Sequence, residues 1–495
     1  MKILLVYPEF PETFWSFKKA LKFVSKKSGT PPLGLLTAAA LLPEEWQLKL
    51  VDMNVSVLKN KQLQWADYVF ISGMSVQKNS ARDIILRCHR YGVKTVAGGP
   101  LFTTGWEDFP EVDHFVLNEA EITLPEFLRD LQQGTPRRMY TTGEKPDLAS
   151  TPAPRLDLLR MKKYASMAVQ YSRGCPFNCD FCDITLLYGR RTRIKPTAQV
   201  IEELEQIYRR GWRENVFFVD DNFIGNKGLL KRELLPELIH WNRARNYPFT
   251  FNTQASINIA DDDELLKLMG EASFDTVFIG IETPSAAGLR ECSKVQNERR
   301  DMIASVKKIQ QAGIEVQGGF IVGFDSDPKT IFEDQIRFIQ ESSIVTAMVG
   351  LLTALKGTKL YQRLKKEDRL LSEETGNNTD CTINFKPVMD WDTLLAGYKQ
   401  IVSTIYSPEY YYRRVRQFLQ EYSPSKARRR IFRFRPIHIS ALFKSVLFLG
   451  VLGKERVQYW KLMLWTLFRR PRCFPLATTL AIYGFHYRRV FEKYL

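Results

Sequence analysis

The chain has 495 residues, 44% of them hydrophobic and 25% charged, with a formal net charge of +16. That length predicts two or three domains, and the hydrophobic share excludes a disordered chain. Seven cysteines, an odd count without paired spacing, exclude a disulfide framework and fit a reducing compartment. The opening MKILLVYPEF runs straight into a strand-like stretch with no signal-peptide pattern, so the expected location is cytoplasmic.

Residues 1–145 alternate strand-like and helix-like segments. Lys2–Tyr7, Leu48–Asp52, Asp67–Gly73, Lys94–Gly99 and His114–Leu117 read as strands. Pro32–Leu42, Asp83–Tyr91 and Leu124–Gln132 read as helices. The alternation predicts an α/β fold with a doubly wound, Rossmann-like parallel sheet. Ligands in such sheets sit at the carboxyl ends of the strands, here Tyr7–Pro8, Asp52–Asn54, Ser72–Ser75, Gly98–Pro100 and Asn118–Glu119. A Pro-rich linker is expected over 146–163. Over 164–365 the βα alternation resumes, with strands expected at Ala168–Ser172, Val216–Asp220, Phe249–Gln254, Thr276–Glu282, Val316–Gly323 and Thr346–Leu352. Six βα units predict a partial β/α barrel of the TIM-like kind, with its active mouth where the strands end. Residues 366–495 form a basic, aromatic helical extension: 391–420 read as one helical stretch, and 437–453 and 474–485 are apolar. From Glu409 onward there are 19 Lys and Arg against 4 Glu, so nearly all the basic excess lies here. Both apolar runs are shorter than the roughly 20 residues of a spanning helix. Their flanks carry Arg428–Arg430, Arg433, Arg435, Arg469, Arg470, Arg472, Arg488 and Arg489, with Trp460, Trp465, Tyr483 and Tyr487 nearby. Two expectations stand together: peripheral docking on an anionic membrane surface, or a helical cap packed on the barrel. Nucleic acid is not expected, because phosphate binding needs no such aliphatic surface.

The chemistry concentrates in Tyr171-Ser-Arg-Gly-Cys175-Pro-Phe-Asn-Cys179-Asp-Phe-Cys182, a C-x3-C-x2-C motif at the end of the first barrel strand. A cubane closed for electron transfer takes four thiolates. Three from one tight loop leave one iron open to chelate the amino and carboxylate groups of S-adenosylmethionine (SAM). The competing reading is zinc, which takes four ligands, and no fourth Cys or His lies near the motif; His240 and Cys292 are the nearest candidates.

This motif resembles the signature of the radical SAM superfamily, with Phe181 as the aromatic residue before the third cysteine. The resemblance implies that Cys175, Cys179 and Cys182 hold a [4Fe–4S] cluster that cleaves SAM reductively. Phe217-Phe-Val-Asp-Asp-Asn-Phe223 resembles the second-strand element near the SAM amino group, with Asp220, Asp221 and Asn222 in place of Gly-Gly-Glu. Phe278-Ile-Gly-Ile-Glu282-Thr resembles the fourth-strand motif, Gly318-Gly-Phe-Ile-Val-Gly323-Phe the fifth-strand glycine motif, and Gly357-Thr-Lys-Leu-Tyr361 the stretch after the sixth strand. The SAM contacts so implied are Phe181, Asp221, Asn222, Glu282 and Gly323.

A doubly wound domain before such a barrel resembles the cobalamin-binding radical SAM family. The resemblance implies cobalamin at the strand ends, near Asp52, Asn54, Ser72, Gly98 and Gly99. The D-x-H-x-x-G element of free-standing cobalamin domains reads here Asp52-Met-Asn54-Val-Ser-Val57, which excludes a histidine ligand to cobalt from this site. A domain that binds nothing is the competing reading. A methylthiotransferase, with a second cluster on three N-terminal cysteines, is excluded because the first 174 residues contain only Cys88. The opening Tyr7-Pro-Glu-Phe-Pro-Glu-Thr-Phe-Trp15-Ser-Phe, Gly98-Gly-Pro-Leu-Phe102 and the tail resemble the group that includes the hopanoid C-2 methylases. That resemblance implies methyl transfer from methylcobalamin to a substrate radical on an unactivated carbon of a lipid or isoprenoid-like substrate. It also implies an electron donor such as flavodoxin or ferredoxin. A cobalamin-linked cyclase or oxidase shares every motif, and a non-enzymatic cluster-based sensor is the remaining class.

Overall fold

The computed structural model describes all residues except 373–374, 378–379, 425–435 and 494–495. Arg428–Arg430, Arg433 and Arg435 therefore lie outside the described residues.

The N-terminal sheet is entirely parallel. Its strands are β1 (Lys2–Tyr7), β2 (Gln47–Asp52), β3 (Tyr68–Ser72), β4 (Lys94–Gly98), β5 (His114–Val116) and β6 (Met139–Tyr140), in the order β2-β1-β3-β4-β5-β6. The order reverses between β1 and β3, which opens a crevice at their carboxyl ends. Leu4, Val6, Val69, Ile71 and Ala97 face one apolar core, and Ile3, Leu5, Phe70 and Val96 face the other. Burial on both faces explains why these strands read as near-continuous apolar runs. The sixth strand is an addition to the expected five: two residues carry no periodicity, and pairing with Phe115 and Val116 alone creates it.

The second sheet, also parallel, runs β14-β13-β12-β11-β10-β7. Its members are β7 (Met167–Val169), β10 (Asn215–Phe218), β11 (Thr250–Gln254), β12 (Phe274–Glu282), β13 (Glu315–Val322) and β14 (Ala347–Leu351). Six sequential strands form an open barrel. The strand expected at Ala168–Ser172 is split: β7 stops at Val169, and β8 (Ser172–Arg173) pairs instead with β9 (Arg193–Ile194). The cause is the Asp220 carboxylate, which accepts hydrogen bonds from the backbone of Tyr171 and Ser172.

The helical stretch over 391–420 is likewise two helices, Trp391–Ile405 and Pro408–Glu421, because Ser407 caps the second and Pro408 starts it. The two apolar runs of the tail differ in burial. The run beginning at 474 is a helix, Phe474–Phe491, buried in the barrel's own core. Of the two expectations for this run, packing on the barrel is the one observed. Tyr487 is fully buried and stacks on Phe14 at 4.2 Å, and the Arg488 guanidinium pairs with Glu455 at 2.6 Å. The run over 437–453 behaves differently: it forms a helical hairpin with residues 456–469, apolar on the outside as well.

His486 fastens the buried helix to the N-terminal segment. Its Nε2 donates to the Phe14 carbonyl at 3.0 Å, and burial depresses its pKa to about 4. The unfolded state then binds the extra proton between about 4 and the ordinary value near 6.5, so stability falls as pH drops through that window. We expect the thermal midpoint to decline from pH 6.5 to 4 in the wild type. A His486→Gln variant, which keeps a donor without titrating, should show a flatter profile in a pH series of melts.

Candidate functional site

The cysteine loop begins at Gly174, whose φ of +91° suits glycine alone and whose missing Cβ would meet the Arg191 and Gly189 carbonyls at 2.8 and 2.9 Å. The loop closes through Cys175 N to Gly189 O at 3.3 Å and Cys182 N to Cys179 O at 3.2 Å. It is tied outward by Asp180 N to Cys292 O and by Leu360 N to Asp180 O. All three cysteine residues are half-buried. Burial pushes the Cys175 thiol up and the Cys182 thiol up to about 12. Metal coordination removes those protons. Donors already face the sulfurs: Asn222 Nδ2 lies 3.8 Å from Cys175 Sγ, and Gln296 Nε2 lies 3.8 Å from Cys179 Sγ.

Among the described residues, no three His, Cys, Asp or Glu converge as a single ion requires. The donor set, three thiols spread along one loop with amide donors behind two of them, fits a cluster whose irons share them.

Asp220, Asp221 and Asn222 follow β10, and each is committed to the loop. Asp220 is fully buried; besides the two backbone donors, Ser172 Oγ donates to it at 2.6 Å, and burial raises its pKa to about 7. Asp221 accepts from Gly174 N at 3.0 Å, and burial raises it to about 6. Asn222 also bonds Ser256.

Glu282 sits at the end of β12 at φ +65°, where the register with β13 shifts. Its Oε1 lies 2.6 Å from Lys294 Nζ. Burial opposes the ammonium, but Glu282 and the nearby Cys179 and Cys182 outweigh it and hold Lys294 above the usual lysine range. A Cβ on Gly280 would meet Glu282 Oε1 at 2.2 Å, so this glycine makes room for the pair. No motif pointed to Lys294 or Gln296; only folding brings them to the thiols.

Gly323, at φ +106°, donates from its backbone to Asp327 at 2.8 Å, and burial raises the Asp327 carboxyl to about 7. Phe181 packs on a small core with Cys292, Phe324 and Leu360. On one face of the barrel sheet Phe217, Asn252, Gln254, Phe278 and Gln317 are half-buried, whereas the alternating Val216, Phe218, Val277 and Val316 are fully buried. Asn252 Oδ1 on that open face is buried without a protein partner. Trp15 meets Phe278 edge-on at 5.3 Å.

At the N-terminal strand ends, Gly98 and Gly99 form a cradle that side chains would fill: their Cβ atoms would lie 2.5 Å from Val116 O and Ser72 Oγ. Asn54 is spent internally: its amide accepts from Phe10 N at 2.8 Å and donates to Pro8 O at 3.1 Å and to Asp52 at 2.8 Å. Burial raises the Asp52 carboxyl, which also accepts from Tyr164 Oη at 2.9 Å. Gln77, fully buried at the β1/β3 crevice, bonds Pro8 O and Met74 N.

The two strand-end faces are joined by ions. Glu119, after β5, lies 2.8 Å from both Arg173 and Arg193, and Arg173 also reaches Glu121 at 2.8 Å. Arg173 is two residues from Cys175, so the N-terminal sheet holds the cysteine loop directly.

A family model described as the B12 binding domain matches residues 24–128, one described as the Radical SAM superfamily matches 169–339, and a domain of unknown function matches 358–495. The first two imply a [4Fe–4S] cluster, SAM and cobalamin as cofactors. Over 491 residues the chain is 41% identical to an uncharacterized methyltransferase of Synechocystis, covering 98% of this chain and 91% of the relative. It is 33% identical over 478 residues to the hopanoid C-2 methylase of Rhodopseudomonas palustris, covering 94% of this chain and 90% of that one. In fold it is similar to the cobalamin-dependent S-adenosylmethionine radical enzyme OxsB, with a TM-score of 0.63 at 16% identity over 99% of this chain and 79% of the other. The radical SAM methyltransferase TsrM of Kitasatospora setae gives 0.57 at 14% identity over 74% and 75%.

Removing Glu119 takes from Arg193 its carboxylate partner and leaves Arg173 with Glu121, a loss of up to about 3–5 kcal/mol for a largely buried pair. Glu119→Ala should lower the denaturation free energy by that order. It should also lower the iron retained after reconstitution, read by denaturant titration and iron analysis.

Proposed function

The chain belongs to the cobalamin-binding radical SAM family of methyltransferases, and from that premise we propose that it methylates an unactivated carbon of a polycyclic or isoprenoid-like lipid. The observation that carries this reading is the 33% identity to a hopanoid C-2 methylase, sustained over 94% of the chain. The aromatic pair Trp15 and Phe278 at the half-buried barrel face suits an apolar ring system.

In this reading Cys175, Cys179 and Cys182 hold the cluster, with Asn222 and Gln296 donating to its thiolates. When bound, the cluster with SAM supplies reductive carbon–sulfur cleavage, and cobalamin supplies a transferable methyl group. Glu282 and Lys294 present a fixed pair of opposite charges to the amino acid part of SAM. Phe181 and Gly323 shape the wall beside it, and Asp221 holds Gly174 so that the loop keeps its form. Ser72, Gly98 and Gly99 leave the backbone open to the corrinoid, while Asp52 and Asn54 act at one remove by fixing the Pro8–Phe10 turn. No acid or base need touch the substrate, because hydrogen abstraction from carbon transfers no proton to the protein. A flavodoxin or ferredoxin delivers the electron, and the protein works at a membrane surface where its substrate resides.

Two measurements test this. Cells grown on methyl-deuterated methionine should contain a lipid with an intact labelled methyl group when the protein is present, and lack it with Cys179→Ala. Mass spectrometry showing no labelled lipid, in cells containing cluster- and cobalamin-loaded protein, refutes the lipid reading. Separately, Glu282→Gln or Lys294→Met should weaken SAM binding to the reconstituted protein about ten- to a hundredfold, as expected for a charged hydrogen bond. Unchanged affinity by equilibrium dialysis removes the pair from the SAM site.

A further inference from the structure

Large apolar side chains are exposed on this protein very unevenly. Of 21 such residues among those described, 11 lie between Ile439 and Phe468. The segment is a hairpin: a helix over Pro436–Ser445 continues as a π-turn over Val446–Val451, turns at 452–455, and returns as a helix over Arg456–Arg469. Gly450 lets the two arms meet, since a Cβ there would touch the Tyr459 ring at 3.0 Å. Trp460 Nε1 donates to Gly450 O at 2.9 Å, and Ser445 Oγ lies 2.9 Å from Tyr459 Oη.

Each arm has an inner seam and an outer stripe. Ala441, Ser445 and Leu449 are buried, and so are Tyr459, Leu462, Met463 and Thr466. Outward, at helical spacing, stand Ile439, Phe443 and Leu447 on one arm and Trp460, Leu464 and Phe468 on the other, Phe443 at 70% and Phe468 at 78% exposure. A soluble monomer rarely presents such a patch.

The charge around it is of one sign. Residues 436–472 contain seven Lys and Arg and a single carboxylate, Glu455, which is buried against Arg488. Lys454, Arg456, Lys461, Arg469 and Arg472 are exposed. Two copies meeting through this face would oppose these cations with no exposed carboxylate on the hairpin to answer them, which disfavours self-association. An anionic lipid surface answers both features, taking the apolar stripes into its acyl boundary and the cations among its headgroups. No helix among the described residues is long and apolar enough to cross a membrane, so the hairpin would lie in the surface.

We propose that the hairpin over residues 436–469 is an in-plane membrane anchor that docks this protein on anionic phospholipid. The anchor is coupled to the barrel. Lys444 Nζ bonds the Lys22 carbonyl at 3.1 Å, and Phe23 packs on Phe448 at 5.9 Å. The same N-terminal segment carries Trp15 to Phe278 on the barrel sheet. Docking thus sets the open barrel face at a fixed position relative to the bilayer. The anchor rests on exposure and charge, and stands whether or not the methyl acceptor is a lipid.

The test is flotation of the full, cofactor-loaded chain with vesicles of phosphatidylglycerol and phosphatidylethanolamine, or of phosphatidylcholine alone. Wild type should bind the anionic vesicles and bind neutral ones more weakly, with binding falling as salt rises. Phe443→Ser combined with Phe468→Ser, both exposed and outside the site, should weaken partitioning roughly tenfold or more while leaving the thermal midpoint unchanged. Lys454→Glu with Lys461→Glu should remove the preference for anionic lipid. Wild type that does not float overturns the proposal, as does a serine variant that floats equally well. A concentration-dependent dimer in sedimentation that the serine variant abolishes reassigns the face to a second copy. Protein that floats yet labels no lipid sinks the substrate reading alone; protein that labels lipid without floating sinks the anchor alone.

Discussion

Glu119 lies almost wholly out of water between two guanidinium groups, and the geometry of the site depends on it. The barrel can build the cysteine loop, and the N-terminal sheet can build a glycine cradle, but neither fixes where one faces the other. Arg173 does so from the loop and Arg193 from the strand paired with it. Buried ion pairs contribute little net stability against an apolar alternative, yet they are intolerant of misplacement. That intolerance is useful where two cofactors must be held at one separation. Tyr164, between the two sheets, adds a second tie by donating to Asp52 at the end of β2.

The two carboxylates that follow β10 support the cysteine loop. Asp220 takes the backbone donors of Tyr171 and Ser172, thereby ends the first barrel strand, and turns the chain into the loop. Asp221 holds Gly174. Burial raises both carboxyls. The Glu282–Lys294 pair differs. It lies over Gly280 at a break in the ladder, on the side of the thiols.

Local pattern in the sequence made most of the architecture legible. Alternation and apolar runs located five N-terminal strands and six barrel strands, and the spacing of Cys175, Cys179 and Cys182 identified the loop. Contacts without local signal were not legible. The two residues of β6 become a strand only beside β5. Lys294 and Gln296 sit in an unremarkable stretch after a short helix and reach the thiols by folding alone. Asn54 could be read as a replaced ligand position, but its bonds to Pro8 and Phe10 join residues more than 40 apart in the chain. The tail was ambiguous for a related reason. Two apolar runs with basic flanks look alike in sequence, and which one is covered is decided by residues far off in the chain, Phe14 among them, 472 residues away from His486.

That last contact orders events in time. The segment carrying Phe14, Trp15 and Phe17 leaves the ribosome well before the helix that clamps it. A nascent chain can form its N-terminal sheet and close its barrel strands early, from contacts near in sequence. The aromatic wall at the barrel's open face must wait for residue 486. Such distant closure slows the final step of folding relative to local pairing. It also leaves the barrel face without that aromatic wall until translation has passed that point.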